Sequence, residues 1–189
     1  ITLIMRTAPL CIFCLITKVF AQTGLSTITT LLSYFLTVTA ALFLQAFLVY
    51  GGLIKSILKT SFRAFLQTVK PLILFGFATS SSAATMPLSM QVAQKDLNIP
   101  SPIASFTMPL GTTLNMDGTA IMQGVATIFI ASAYSVDLSF GQLLTVVLTA
   151  ILASFGTAGV PGVGIIMLSL ILTQAGLPVE GIALILGVD

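Results

Sequence analysis

The residues with the clearest potential for chemistry lie in the stretch TTLNMDGTA, between two long apolar runs. Asp117 places a carboxylate where a buried helix would be expected to continue, and Asn115 places an amide oxygen beside it. A helix broken at Gly118 would also free backbone carbonyls of the preceding turn, notably those of Gly111, Thr113 and Asn115. Hard oxygen donors of this kind suit a small hard cation and not a soft metal.

The carboxylate of Asp117 has an alternative interpretation. A charged side chain near the centre of a bilayer costs about 2.5–3.5 kcal/mol, so it needs a cation or a hydrogen-bond network as compensation. Asp117 could therefore be a buried acid that is hydrogen-bonded to hydroxyls or kept neutral by burial.

Two other stretches combine polar groups with helix breakers inside apolar sequence. TSSSAAT, residues 79–85, is followed two residues later by Pro87, and its serines offer hydroxyls and amides near a helix start, where an anionic group is favoured. SFGTAGVPGVG, residues 154–164, holds four glycines and a proline. It cannot remain helical, because Gly is costly in a helix and Pro removes a backbone donor.

The composition places these stretches in a membrane. Of the 189 residues, 57% are hydrophobic and only 6% are charged, far from the roughly 25% of ordinary soluble domains. A span needs about 20 apolar residues, and the chain has several longer intervals without charge. The net charge is +2 and the sequence has no run of basic residues, so nothing indicates a nucleic-acid partner. These charge-free intervals are residues 19–54, 71–94, 97–116, 118–136 and 138–179.

The charged residues predict how the broken segments enter the membrane. Basic residues near residues 55–70 and at Lys95 belong on the cytoplasmic side, so the segment between them must enter and return as a re-entrant hairpin. Its arms would be residues 61–80 and 85–96. One ordinary helix with a serine patch is the alternative. The second broken segment is flanked by Asp137 and Glu180, so we expect it to enter from the opposite face.

We therefore predict an all-α membrane protein with transmembrane helices, two opposed re-entrant helical hairpins and one unwound helix. Cys11 and Cys14 form CIFC, but the sequence has no His and no set of four zinc ligands, so we assign these thiols to packing. The chain also begins abruptly inside an apolar segment, and we expect it to be part of a longer protein. The predicted segments are two transmembrane helices at 1–54, the first hairpin at 55–98, the broken helix at 99–136, the second hairpin at 137–178 and the start of a last helix at 179–189.

This architecture favours a transporter. Non-helical backbone at bilayer depth survives only where protein shields it or where it lines a polar cavity, and paired broken segments are typical of inverted-repeat secondary transporters. A channel with re-entrant pore loops is one alternative, although channel filters repeat around a symmetry axis. An intramembrane enzyme is another, but the chain has no His and no second carboxylate near Asp117, so acid–base chemistry lacks its groups.

SSSAATMP, NMDGT and ASFGTAGVPGVG occur in this order, and with them the chain resembles the dicarboxylate/amino acid:cation symporters, the family of glutamate transporter homologues. The resemblance covers essentially all 189 residues. It implies a homotrimer in the plasma or inner membrane, in which each transport domain moves against a scaffold. It also implies an amino acid or dicarboxylate substrate, with sodium or a proton as the coupling ion.

The resemblance carries specific roles over to this sequence. It assigns substrate contacts to Ser80, Ser81, Ser82, Thr119, Val160 and Gly164. It assigns one sodium site to Gly111, Asn115 and Asp117, and another to the carbonyls of Thr113, Ser154, Phe155 and Thr157 with Met116 nearby. We expect the second hairpin to hinge on Gly156, Gly159, Gly162 and Gly164.

One departure from the family pattern bears on the substrate. Some members have Arg just before the serines of the first hairpin, and Ser80 stands there in this chain. A guanidinium for an acidic side chain would then have to come from the last helix, of which only the start precedes Asp189. The intact NMDGT favours an acidic amino acid or dicarboxylate, and a neutral amino acid remains the alternative. We expect this piece alone not to transport.

Overall fold

The computed structural model describes residues 26–155 and 157–186 together with Thr17. All regular structure in these residues is helical, without a β-strand, which confirms the predicted all-α class. The helices are α1 (Ser26–Leu44), a π-helical turn (Gln45–Tyr50), α2 (Gly51–Leu53), a second π-helical segment (Ile54–Leu58), α3 (Phe62–Thr79), α4 (Ser82–Lys95), α5 (Ser101–Leu114), α6 (Asp117–Ala133), α7 (Phe140–Phe155), α8 (Val163–Ala175), a short 3-10 helix (Val179–Gly181) and α9 (Ile182–Ile185).

The first described helix is long enough to cross a bilayer. The stretch Thr29–Ile57 meets the length and composition of a membrane span, and most of its large apolar side chains are exposed. The sequence predicted two transmembrane helices within residues 1–54. The structure is helical over residues 26–58, but its hydrogen-bond register changes twice, because residues 45–50 and 54–58 adopt π geometry.

Helices α3 and α4 form a helical hairpin whose turn is the serine stretch. Ser80 ends α3 with a left-handed backbone (φ 48°), and Ser81 in extended conformation begins α4. The hydroxyl of Ser81 accepts a hydrogen bond from the Ala84 N–H at 3.1 Å, which is a helix N-cap. The turn is two residues long because one left-handed residue and one capping residue suffice to reverse the chain.

Helices α5 and α6 are separated by two non-helical residues, Asn115 and Met116. The expectation that the interruption extends to Gly118 was wrong, because Asp117 and Gly118 lie in the first turn of α6. A carboxylate in a first turn complements the positive end of the helix, so the helix resumes at Asp117. Gly118 makes only an ordinary approach to α1, since an added Cβ would lie 3.6 Å from Leu42 Cδ2.

Helix α6 is the centre of the packing. It contacts α1, α7 and α8, and α7 and α8 form a second helical hairpin beside it. Ile130 of α6, Val146 of α7 and Leu168 of α8 are almost fully buried in one cluster. Burying such a side chain contributes about 1.5–3 kcal/mol. On the other side, the rings of Tyr34 and Phe129 join α1 to α6 with centroids 5.1 Å apart. This packing holds the interrupted helix between α1 and the second hairpin.

Candidate functional site

Asp117 is held by two side chains from the first described helix. Its Oδ2 accepts a hydrogen bond from Gln45 Nε2 at 3.0 Å and from Tyr50 Oη at 2.6 Å. The shorter distance is typical of an O–H donor to a charged carboxylate. A carboxylate accepts about four hydrogen bonds, so these two donors leave Oδ1 with capacity for a further partner.

The interruption between α5 and α6 presents backbone oxygens next to this carboxylate. The Gly111 carbonyl was expected to be freed, but it accepts the Asn115 N–H at 3.0 Å and so closes the last turn of α5. Among the described residues, no backbone N–H outside the regular helices donates to the carbonyl of Thr113 or Asn115. No three His, Cys, Asp or Glu side chains gather among the described residues, so an ion here would depend on backbone and amide oxygens around one carboxylate.

Met116 and Thr119 lie where the interrupted helix meets the second hairpin. Met116 is buried, and the Thr119 hydroxyl lies 3.8 Å from its sulfur. A Cβ added at Gly164 would lie 3.3 Å from Thr119 Cγ2, and one added at Gly159 would lie 3.5 Å from Met116 Cε. Gly164 therefore lies close to the Thr119 side chain, and Gly159 close to the Met116 side chain, because neither glycine carries a Cβ.

The turn of the first hairpin contacts the turn of the second. The Ser81 hydroxyl donates to the Gly159 carbonyl at 2.8 Å, and the Ala83 N–H donates to the same oxygen at 3.0 Å. A Cβ at Gly159 would lie 3.1 Å from both Ala83 N and Ser82 Cβ. Ser81 itself is buried. Two stretches about 80 residues apart in sequence thus meet through a glycine that permits close approach.

The second hairpin also buries the hydroxyls at the end of α7. Ser154 Oγ donates to the Ile151 carbonyl at 2.7 Å, and Thr157 Oγ1 donates to the Ala153 carbonyl at 2.8 Å. The Ser154 carbonyl accepts the Thr157 N–H at 3.2 Å, whereas Phe155 has a half-exposed side chain. Helices α5 and α7 are in contact. The helix that carries Thr113 therefore lies beside the helix that carries Ser154 and Phe155 and precedes Thr157.

Gln123 fixes the start of α8. Its side chain is fully buried, and Nε2 donates to the Gly164 carbonyl at 3.0 Å. Its Oε1 has no hydrogen-bond partner among the described residues. Gln123 lies one turn after Thr119 on α6, and Thr127, one turn further, donates to the Gln123 carbonyl at 2.8 Å. A buried polar ladder therefore runs along the face of α6 that contacts the second hairpin.

A cavity of about 520 Å³ lies between the first hairpin and α5. Hydroxyl-bearing side chains dominate its wall on both sides. It includes the predicted substrate residues of the first turn and two predicted ion ligands, but not Thr119 of α6 or Val160 and Gly164 of the second hairpin. The lining residues are Gly76, Ser80, Ser81, Ser82, Thr85, Ser89, Thr107, Met108, Gly111, Thr112 and Asn115.

Val160 is exposed next to the turn contact, and Gly162 has the left-handed backbone (φ 82°) that precedes α8. Of the expected hinge glycines, Gly156 lies outside the described residues, as do Cys11 and Cys14.

Sequence reasoning missed Gln45, Tyr50 and Gln123. Gln45 had a detectable signal, because it is a lone amide in the apolar run ALFLQAFLVY. An isolated polar residue in a membrane span indicates a buried partner.

Comparison with known proteins gives a consistent family match. The sequence pattern of the sodium:dicarboxylate symporter family matches residues 1–189. The chain is 40% identical over 156 residues to excitatory amino acid transporter 5 of Mus musculus, covering 82% of this chain and 28% of that protein. It is 36% identical over 156 residues to excitatory amino acid transporter 1 of Ambystoma tigrinum, covering 82% of this chain and 29% of that protein.

A third relative matches a shorter stretch more strongly. The chain is 48% identical over 111 residues to an excitatory amino acid transporter of Caenorhabditis elegans, covering 59% of this chain and 22% of that protein. The chain therefore spans less than a third of the length of these relatives.

Proposed function

Because the chain belongs to the sodium:dicarboxylate symporter family, we propose that it is the central part of a secondary active symporter, which couples sodium to the uptake of an acidic amino acid or dicarboxylate. Members of this family are transporters of the plasma membrane and not enzymes. The relatives named above are excitatory amino acid transporters, which supports an acidic amino acid as substrate.

The contact between Ser81 and Gly159 is the single observation that carries this proposal. It joins two helical turns beside the interruption that precedes Asp117, so three broken segments converge on one place. Convergence of such segments is what a midplane binding site in a secondary transporter requires. It supports a substrate held between the two hairpin turns by Ser80, Ser81, Ser82, Thr119, Val160 and Gly164.

We assign the coupling ion to the oxygens around the interruption. Asp117 and Asn115 would bind one sodium ion together with the Gly111 carbonyl, whose second lone pair stays available beside its helical bond. A second ion would be bound by carbonyls of Thr113, Ser154, Phe155 and Thr157, near the Met116 sulfur. Hard oxygen ligands are appropriate for sodium.

The architecture that we propose for the complete protein follows the segments predicted from sequence. The α3–α4 and α7–α8 hairpins would be re-entrant from opposite faces, within residues 55–98 and 137–178, and residues 99–136 would form the unwound helix. Residues 1–54 would supply two membrane helices, and residues 179–189 would begin the last helix. The complete protein would assemble as a homotrimer.

The contacts suggest how ion and substrate are coupled. Ion binding by Asp117 and Asn115 would stiffen the interruption, against which Gly159 and Gly164 close. The second hairpin would then shut over the substrate, and sodium and substrate would favour the same closed state. Two ligands that stabilise one state raise each other's affinity.

Ser80 supports one alternative substrate class. The first turn offers a hydroxyl at this position and no cation, so the described residues supply no guanidinium or ammonium for an acidic side chain at this turn. A sodium symporter of a neutral amino acid would need none. Competition of aspartate and serine for uptake of labelled substrate by the full-length protein distinguishes the two classes.

Asp117→Ala in the full-length protein, reconstituted in liposomes, tests the proposed function. We expect the dependence of uptake on the sodium concentration to weaken, because the Asp117 carboxylate belongs to one of the two proposed ion sites. Uptake by the variant that still rises with sodium as in the wild type would refute the ion assignment. If a pH gradient alone drives uptake, the coupling ion is a proton and not sodium. A substrate-independent ohmic current would indicate a channel.

A further inference from the structure

Both hydrogen-bond donors to Asp117 are provided by one short π-helical turn. Gln45 is its first residue and Tyr50 its last, and both donate to the same oxygen, Oδ2. They lie 72 and 67 residues before Asp117, so the contact joins α6 to a helix far away in sequence. Neither residue belongs to the ion or substrate sets assigned above.

The π geometry explains why two residues five positions apart can reach one atom. In an α-helix with 3.6 residues per turn, positions i and i+5 point about 140° apart. In a π-helix the backbone hydrogen bond runs from i to i+5 and each turn holds more residues, so these positions lie much closer to one face. An α-helical segment through residues 45–50 would point either Gln45 or Tyr50 away from Asp117.

We propose that this π-helical turn positions the ion-binding carboxylate. Gln45 and Tyr50 fix Oδ2 and so orient Oδ1 towards the ion. The inference rests on the proposed function, because it takes the Asp117 carboxylate to be an ion ligand. Single π-helical turns occur frequently at functional sites, where they place side chains that an α-helix cannot align.

The two donors leave one oxygen of the Asp117 carboxylate free. Both donors converge on Oδ2, and the described residues offer no hydrogen bond to Oδ1. Each carboxylate oxygen carries two lone pairs, so Oδ2 can accept both donors while Oδ1 keeps its full capacity for an ion.

The test is the sodium dependence of uptake by the full-length protein in liposomes carrying Tyr50→Phe or Gln45→Leu. Each variant loses one hydrogen bond to a charged group, so the sodium concentration for half-maximal uptake should rise about ten-fold. Maximal uptake at saturating sodium should stay within about two-fold of the wild type, because saturating ion restores the bound state. Wild-type sodium dependence in both variants would overturn the proposal.

Matched controls remove the same groups elsewhere. Tyr134→Phe deletes a hydroxyl that makes no hydrogen bond among the described residues, and Gln67→Leu deletes an exposed amide of α3. Both should retain wild-type sodium dependence. A loss of maximal uptake without a change in the half-maximal sodium concentration, in Tyr50→Phe and Gln45→Leu, would indicate a purely structural role and refute positioning.

Asp117→Asn separates this inference from the proposed function. If that variant keeps wild-type sodium dependence, the ion assignment itself is wrong. If it loses sodium dependence while Tyr50→Phe and Gln45→Leu behave as wild type, only the positioning role is wrong. If positioning is correct, adding Tyr50→Phe to Asp117→Asn should cause little further change, because residues acting through one group are not additive.

Discussion

The hydroxyl of Ser81 donates to the carbonyl of Gly159 at 2.8 Å and thereby joins the turns of the two helical hairpins. The same hydroxyl oxygen caps α4 by accepting the Ala84 N–H. One side chain therefore begins a helix and bonds the opposite hairpin. Any opening of the second hairpin at this point must break the bond between Ser81 and Gly159.

Ser81→Ala should weaken closure of the two turns. It removes the bond to Gly159, worth about 0.5–1.5 kcal/mol, and the cap of α4, worth about 1 kcal/mol. We expect substrate affinity of the full-length protein to fall about five- to ten-fold in equilibrium binding. Ser81→Thr, which keeps a hydroxyl, should recover most of it. Ser169→Ala removes a hydroxyl that bonds only its own helix, at the Ile166 carbonyl, and should have no effect.

Gly159→Ala should separate the two turns by a few tenths of an ångström. The added methyl would lie 3.1 Å from the Ala83 nitrogen, which is backbone and cannot rotate away. We predict a loss of substrate affinity of about ten-fold, equivalent to roughly 1.4 kcal/mol. Gly124→Ala is the control, since its methyl would meet nothing within 4 Å. Equal affinities of the two variants would contradict the close contact.

A cysteine pair can test the same contact directly. The Cβ positions of residues 82 and 159 would lie 3.1 Å apart, slightly below the usual 3.5–4.5 Å of a disulfide. Ser82→Cys with Gly159→Cys, after replacement of Cys11 and Cys14 by Ser, should cross-link under mild oxidation and stop uptake. Reductant should restore uptake. Each single-cysteine variant should show the same uptake under oxidation as under reduction, and failure of the pair to cross-link would count against adjacent turns.

Gly181→Ala should destabilise the packing between the 3-10 helix and α6. The added methyl would overlap Ile130 Cγ2 and lie 3.2 Å from Tyr134 Cε2. Ile130 is fully buried, so it has little room to move. Overpacking of this kind costs about 1–3 kcal/mol. Thermal unfolding in detergent should show a lower midpoint for Gly181→Ala, whereas Gly141→Ala, whose methyl faces open space, should unfold as the wild type does.

Local sequence features were enough to predict the all-helical class, the family and most of the helix interruptions. Its glycines, prolines and serines mark the turns at residues 80–81, 115–116 and 157–162, because backbone preferences are local and act wherever those residues occur. The pattern was less reliable at Gly118, where the first turn of α6 accommodates a glycine that was expected to break it. A carboxylate at a helix start compensated for a weak helix former.

The contacts between distant side chains could not be predicted and follow from the packing of the helices. No local rule pairs Gln45 and Tyr50 with Asp117 or Ser81 with Gly159, since each pair is more than 60 residues apart. The π register of residues 45–50 is equally invisible in an apolar run, where an α-helix satisfies the same preferences. These contacts depend on how α1 and the hairpins pack around α6, and packing is a property of complementary surfaces that hydrophobic periodicity does not encode.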